Sequence, residues 1–319
     1  MSTLGQGSSV AEAIPARMVA GAQALQPGRK ATRRRPDPFS ALSYVTVTIF
    51  GLFCLVPLWM IVAGSLTDES VLGLNGYSLF PQPFSLEAYQ LLFTGQSLLN
   101  GYIASVFITV VGTVLAVSCT ASIAWVIARR LPVVGTPLTV FAYVPMLFNG
   151  GLVPFYLLVT QVLNLTNSWF AMILPLMLAP FLIFVAVSFF RQLPEEILDA
   201  ARIDGAGELR IFFQIVLPLS SPILAVLGLF YAVTYWNEWF TGLLFLSDPD
   251  KFPLQLILQN LIANVTNAAQ LPSSSSDGVA PVYQLRFAMT VLTVGPILLA
   301  YPFAQRFFVR GITLGATKG

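Results

Sequence analysis

A chain of 319 residues that is 56% hydrophobic, 9% charged and carries a net charge of +2 is too apolar for a soluble globular protein. Its mean hydropathy of +0.78 indicates a polytopic membrane protein with one membrane domain. The absence of histidine excludes histidine-based catalysis, haem ligation by histidine and most zinc chemistry; Cys54 and Cys119 lie in apolar stretches and suggest neither a disulfide framework nor a metal site.

Residues 1–38 are rich in Ala, Gly and Ser and end in a basic cluster, Arg29, Lys30, Arg33, Arg34 and Arg35. Too few apolar residues are present to offset chain ordering, so this segment is expected to be a disordered, basic cytoplasmic tail. It is not expected to be a cleaved targeting segment, because the apolar run that follows is long enough to span a bilayer and no small-residue cleavage site follows closely. The cluster would anchor the first span, with attraction to the lipid surface as a secondary effect.

Spans of about 20 apolar residues are legible as gaps between charges. They place helix 1 at 39–66, helix 2 at 99–128, helix 3 at 137–162, helix 4 at 169–190, helix 5 at 220–246 and helix 6 at 287–308, with the polar turn Asn164–Asn167 separating helices 3 and 4. The expected fold is all-α with six transmembrane helices: a membrane domain over 39–310 and a short C-terminal tail over 311–319. Taking loops alternately, one side holds fourteen of the sixteen basic residues and the other only Lys251 and Arg286. The positive-inside rule therefore puts both termini and the 191–214 loop in the cytoplasm. Two outer loops are long, 67–98 and 247–285, the second with a serine-rich stretch at 272–278. A docking surface and a plain solvated connection fit them equally.

Two places inside the spans break local rules. In helix 3, Asn149, Gly150 and Gly151 sit between Pro145 and Pro154. Prolines and glycines there weaken the helical ladder, and the freed backbone groups need protein or water around them. A hinge or translocation-path wall fits this cluster, with Asn149 offering amide hydrogen bonds; so does close helix packing through glycine. In helix 5, Glu238 is the only acid inside any span and follows Trp236 and Asn237. A membrane carboxylate must face a cavity or a partner. Structural or gating roles and contact with a stacked sugar ring both fit it.

Between helices 4 and 5 lies a charged, amphipathic island, Glu195–Pro218, with five acids and two arginines up to Arg210. Pro194 and the acids Glu195 and Glu196 favour a helix start. Ile197, Leu198, Ala201 and Ile203 supply an apolar side, and Gly205 supplies a positive-φ stop. A short helix over 194–204 is therefore expected, then a glycine turn, then a second helix entering the membrane through Leu217 and Pro218.

That spacing resembles the cytoplasmic motif of binding-protein-dependent ABC importer permeases: E-A-A, three residues, G, nine residues, I-x-L-P. Here Asp199, Ala200 and Ala201 precede Gly205 by three residues, and Ile215, Leu217 and Pro218 follow after nine; Asp199 replaces the usual Glu and keeps its charge. The closing phrase from Gln305 to Gly319 resembles the C-terminus of maltose-type inner permeases of carbohydrate importers. The Asn149–Gly151 and Trp236–Trp239 phrases resemble carbohydrate permeases, particularly those for pectin and alginate fragments. The resemblance covers about residue 40 to the end.

The resemblance implies a type I ABC importer permease fold in a bacterial cytoplasmic (inner) membrane. It implies an ATPase-coupling role for Glu195, Glu196, Asp199, Ala200, Ala201, Asp204, Gly205, Ile215, Leu217 and Pro218, and a place for residues 311–319 near the ATPase dimer interface. A translocation path or hinge at Asn149, Gly150, Gly151, Trp236, Asn237 and Glu238 goes with it. The implied partners are a second permease in a heterodimer, two ATPase subunits, an extracytoplasmic solute-binding protein, a sugar and membrane lipid, with no nucleic acid. The chain has no G-x-x-x-x-G-K-[ST] phosphate loop, so no catalytic residue, metal or cofactor is expected on it, and ATP and Mg belong to partner subunits. A secondary carrier would not need the coupling spacing, and an intramembrane enzyme would lack groups to work with. Within importers, a non-sugar solute is the alternative cargo.

Overall fold

The computed structural model describes residues 38–130, 133–268 and 282–316, and their backbone is helical apart from turns and one isolated antiparallel bridge between Thr67 and Phe84. The basic cluster at 29–35, the serine-rich stretch at 272–278 and residues 317–319 lie outside the described residues.

The chain divides into two units, Met1–Leu55 and Val56–Gly319. The described part of the first unit is the opening of α1 (Pro38–Ser65), where Phe39, Leu42, Val45, Ile49 and Phe53 are all exposed. A helix segment that exposes apolar residues all round is built for lipid or for another protein surface, not for water.

In the second unit, α2 (Glu69–Asn75) and α3 (Glu87–Thr94) lead to α4 (Gln96–Ala128). Next come α5 (Gly135–Leu147) and α6 (Leu152–Leu157), the latter continuing as a π-helical turn, Leu158–Val162. Then α7 (Phe170–Ile173) runs through a 3-10 turn, Leu174–Leu176, toward α8 (Pro180–Phe190). The charged island forms α9 (Glu195–Ile203) and α10 (Glu208–Ile211), which passes through a π-helical turn, Phe212–Val216, into α11 (Leu217–Leu219). The chain closes with α12 (Ser221–Trp236), α13 (Phe240–Phe245), α14 (Leu254–Ala268) and α15 (Val282–Ala316).

Among the described residues, three stretches, in α1, α4 and α15, are long and apolar enough alone to cross a membrane, and two bent pairs raise the number to five. The expected third span is the exception. It is two short apolar helices, α5 and α6, broken at Phe148–Gly151 where Gly151 takes φ +86°. The fifth is shorter than expected: α12 ends at Trp236, three residues before α13 begins after Trp239, rather than running to Leu246. At its start the chain turns by 79° between Leu219 and Ser221, where Pro218 and Pro222 flank the break. The expected fourth span bends by 51° between Leu176 and Pro180. α15 continues helically to Ala316 without a break at Phe308.

The core lies where α4 and α8 pack with α12. Ile108, Ile127, Ile183, Val187, Leu227, Tyr231 and Tyr235 are buried there. The two tyrosines, one turn apart on α12, also complete the bent fourth span. The Tyr235 hydroxyl donates to the Ile173 carbonyl at 2.9 Å, and the Tyr231 oxygen accepts the Ala179 N–H at 3.1 Å while lying 2.7 Å from Thr120 Oγ1. Both backbone groups flank the bend before Pro180, in a setting without water to receive them. Tyr235→Phe should therefore leave a buried carbonyl unpaired and destabilise the solubilised protein by about 1–3 kcal/mol, read as a lowered thermal midpoint. An unchanged midpoint would show that the bend is held by packing alone.

The 67–98 connection is more than solvated chain. The Glu69 carboxylate accepts the Tyr283 and Gln284 N–H groups at 2.9 and 2.8 Å, capping the start of α15. Gln284 Nε2 in turn donates to the Ser85 carbonyl at 2.8 Å. Trp59 Nε1 donates to Leu79 O at 2.8 Å.

Candidate functional site

The charged island folds as a helix, a turn and a second helix. Pro194 sits one position earlier than expected: it is the extended residue before α9, not the first helical one, with φ −60° and ψ 123°. Glu195 and Glu196 fill the first turn, where the helix dipole favours them. At the other end Gly205 takes φ +81°, a conformation that costs other residues a clash at Cβ. The turn it makes lets Gly205 N–H reach the Arg202 carbonyl and Ala206 N–H reach the Ala201 carbonyl, each at 2.9 Å.

Arg202 clamps that turn from the side. Its Nη1 meets Asp199 Oδ1 at 2.7 Å within α9, while Nη2 and Nε meet Glu208 Oε1 at 2.9 and 3.1 Å on α10. The bonds to Glu208 first, and to Asp199 after them, push the guanidinium pKa further up. Exposed pairs of this kind add little to stability, so the clamp's effect is to fix the angle between α9 and α10. Arg202 was not among the expected coupling residues, although an acid three residues before it and another six after were legible as partners.

The apolar residues of α9 divide between two faces. Leu198 is buried and Ala201 packs against the core, but Ile197 and Ala200 are exposed and Ile203 is 86% exposed. The expectation of one apolar side over Ile197, Leu198, Ala201 and Ile203 is therefore corrected: a 3.6-residue period sets Ile203 on the face opposite Leu198. Asp204 is exposed too. Ile215 and Leu217 are half-buried against the core and Pro218 is exposed, so these three belong to the arm that carries the loop into α12.

The break between α5 and α6 forms a second feature. Asn149 Oδ1 accepts the Gly151 N–H at 2.8 Å, so its side chain holds the break open from within. Asn149, Gly150 and Gly151 line a cavity of about 660 Å³ with Phe155, Leu158 and Phe240. Phe240 opens α13 directly after the tryptophan-rich phrase, but Trp236, Asn237 and Glu238 themselves do not line this cavity. No lining residue is charged.

Within that phrase the side chains separate. Trp236 is buried and donates to the Thr293 carbonyl on α15 at 3.0 Å. Asn237 accepts from Gln255 of α14 at 3.1 Å. Glu238 Oε1 accepts the Thr241 N–H at 2.8 Å and its hydroxyl at 3.1 Å, which places its carboxylate over the first turn of α13. Glu238→Ala should loosen α13 by about 1 kcal/mol and reduce transport, whereas Glu238→Gln keeps an acceptor oxygen and should retain most of it. Equal loss in both variants would make the negative charge, not the cap, the essential property.

Comparison with known proteins adds independent information. The family described as binding-protein-dependent transport system inner membrane component matches residues 120–314. The polygalacturonan/rhamnogalacturonan transport system permease protein YtcP of Bacillus subtilis is 36% identical over 282 residues, 88% of this chain and 98% of that protein. The arabinooligosaccharides transport system permease protein AraQ of Halalkalibacterium halodurans is 30% identical over 299 residues, 90% of this chain and all (100%) of that protein. In the crystal structure of a bacterial ABC transporter involved in the import of the acidic polysaccharide alginate, one chain superposes with a TM-score of 0.73 at 25% identity, covering 85% of this chain and 96% of that one.

Proposed function

Since the chain belongs to the binding-protein-dependent transport system inner membrane component family, we propose that it is the permease subunit of an ATP-driven importer that carries an oligosaccharide, of the kind released from acidic plant or algal polysaccharides, into the cytoplasm. It would pair with a second permease, rest on two ATPase subunits that bind ATP and Mg, and receive cargo from an extracytoplasmic binding protein. Both termini and the α9–α10 loop would face the cytoplasm, an orientation that the distribution of arginine and lysine supports.

The observation that carries the coupling role is the outward face of α9. Ile197, Ala200 and Ile203 stand exposed among Glu196, Asp199 and Asp204, while Leu198 packs into the core and the Arg202 clamp fixes the angle of α9 to α10. An apolar, acid-rimmed face on a rigidly mounted helix is built to be gripped. Closure of the ATPases on ATP would move that helix, and the arm through Ile215, Leu217 and Pro218 would pass the motion to α12. Such a bistable rigid-body switch is driven by the difference in nucleotide affinity between two states.

The uncharged cavity at Asn149–Gly151 offers amide and backbone groups to hydroxyls and the Phe155 and Phe240 rings to sugar faces. It offers no cation to a uronate, so selection for an acidic sugar would fall to the second permease or the binding protein. Native mass spectrometry of the gently solubilised complex tests the assembly: one copy of this chain, one other permease and two ATPases is expected. A complex without ATPase, under conditions that preserve other transporters, overturns it. Stimulation of ATP hydrolysis by binding protein loaded with galacturonate or alginate oligomers, against neutral ones, tests the cargo.

A further inference from the structure

The ends of α4 and α8 carry Arg129, Arg130 and Arg191, and all three line one cavity of about 330 Å³ together with Trp125, Leu198 and a single acid, Glu195. Arg129 and Arg191 follow helix C-termini, where the helix dipole favours a cation, but three guanidinium groups around one carboxylate exceed that need. The Arg129 guanidinium lies over the Trp125 ring at 5.5 Å, and its buried Nε has no hydrogen-bond partner among the described residues. Glu208, which lines the neighbouring cavity, is held by Arg202 at 2.9 Å. The cavity thus offers an anion three guanidinium groups, that of Arg129 held against the Trp125 ring.

A second cavity, of about 220 Å³, shares Trp125 and Arg129 with the first; Val126, Leu209, Phe212 and Phe213 make it mainly apolar, with Ser122 and Glu208 at its wall. A basic chamber beside a mainly apolar one matches a molecule with an anionic head and a hydrocarbon chain. Its place in the fold supports this. The cavity lies on the Leu198 side of α9, behind the face that Ile197, Ala200 and Ile203 leave free, so a protein gripping that outer face would not fill it.

We propose that this cavity is a binding site for a phosphate group carried by an anionic phospholipid, with Arg129, Arg130 and Arg191 as its donors and the neighbouring apolar cavity taking an acyl chain. It rests on the proposed orientation, which places these helix ends at the cytoplasmic leaflet, where basic clusters meet anionic headgroups. A lipid seated there would brace α9 against α4 and α8 and make coupling sensitive to lipid composition.

The test uses the full chain in neutral detergent, where binding does not depend on which membrane face is cytoplasmic. Phosphatidylglycerol, phosphatidylcholine and inorganic phosphate are titrated separately, and bound mass and thermal midpoint are followed. Phosphatidylglycerol should bind and stabilise, with phosphatidylcholine and phosphate much weaker. The double variant Arg130→Gln, Arg191→Gln changes two exposed side chains and should fold normally; its affinity for phosphatidylglycerol should fall about 30-fold. Equal binding by wild type and variant overturns the site. Protection by inorganic phosphate at the same concentration overturns the lipid as its source. Displacement of bound phosphatidylglycerol by added ATPase subunits would assign the arginines to a protein interface and overturn it as well.

Discussion

Gly205→Val is expected to abolish coupled uptake while the protein still inserts and assembles. Gly205 holds φ +81° in a turn where a new Cβ would meet nothing within 4 Å, so the substitution acts through backbone strain and not through a clash with neighbours. An L-residue in that conformation costs about 1–2 kcal/mol, more for a β-branched one, which shifts the turn by up to about 30-fold against its native form. The bonds from Gly205 N–H to Arg202 and from Ala206 N–H to Ala201 go with it, and the Arg202–Glu208 pair loses its geometry. None of this touches the spans. Binding-protein-stimulated uptake in proteoliposomes should fall about tenfold or more, with ATP hydrolysis no longer tracking transport. Gly205→Asn, which tolerates positive φ, should retain most activity. Wild-type uptake by the valine variant would remove the loop from the coupling mechanism.

Gly112→Leu should unfold the centre of the membrane domain. At Gly112 the α4 backbone lies so close to α12 that an added Cβ would stand 2.8 Å from the Tyr235 ring. That ring cannot swing away freely, because its hydroxyl holds the Ile173 carbonyl and its face lies against Tyr231. Overpacking costs about 1–3 kcal/mol, and the carbonyl left unpaired costs about as much again. The sum is a large part of the stability of an ordinary domain. Fluorescence-detected size exclusion after heating should show loss of the monodisperse peak at a much lower temperature. Gly228→Ala, on α12 with nothing within 4 Å of the new methyl, is the internal comparison and should be neutral or slightly stabilising. A Gly112→Leu protein as stable as wild type would mean that α4 and α12 can separate without loss.

Much of the molecule was legible from charge and spacing. The gap between Glu87 and Arg129 became α4, and the Asn164–Asn167 turn appears with both asparagines at positive φ, as residues able to occupy that region do. Pro194, the acids behind it and Gly205 bounded α9 to within a residue. The expected third and fifth helices failed where composition alone does not decide. The Asn149-Gly150-Gly151 run between Pro145 and Pro154 marked a weak point in the third helix without fixing whether the ladder breaks there, while the stretch from Trp236 to Leu246 is apolar enough to pass as helix. At both breaks a side chain, Asn149 in one and Glu238 in the other, accepts a backbone N–H of the following turn.

Local chemistry along the chain thus determined the membrane class, the positions of the helices and the form of the charged loop, because bilayer thickness, charge and glycine conformation act on a few adjacent residues at a time. Tertiary structure alone decided what depends on distant partners. It set Tyr231 against the Ala179 N–H and Tyr235 against the Ile173 carbonyl, on either side of the bend before Pro180. It also gathered Arg129, Arg130 and Arg191 around one cavity. Those pairings cross sixty residues or so in the arginine cluster and 52 and 62 residues between the tyrosines and the bend, and hydrophobic periodicity carries no record of which helix another will meet.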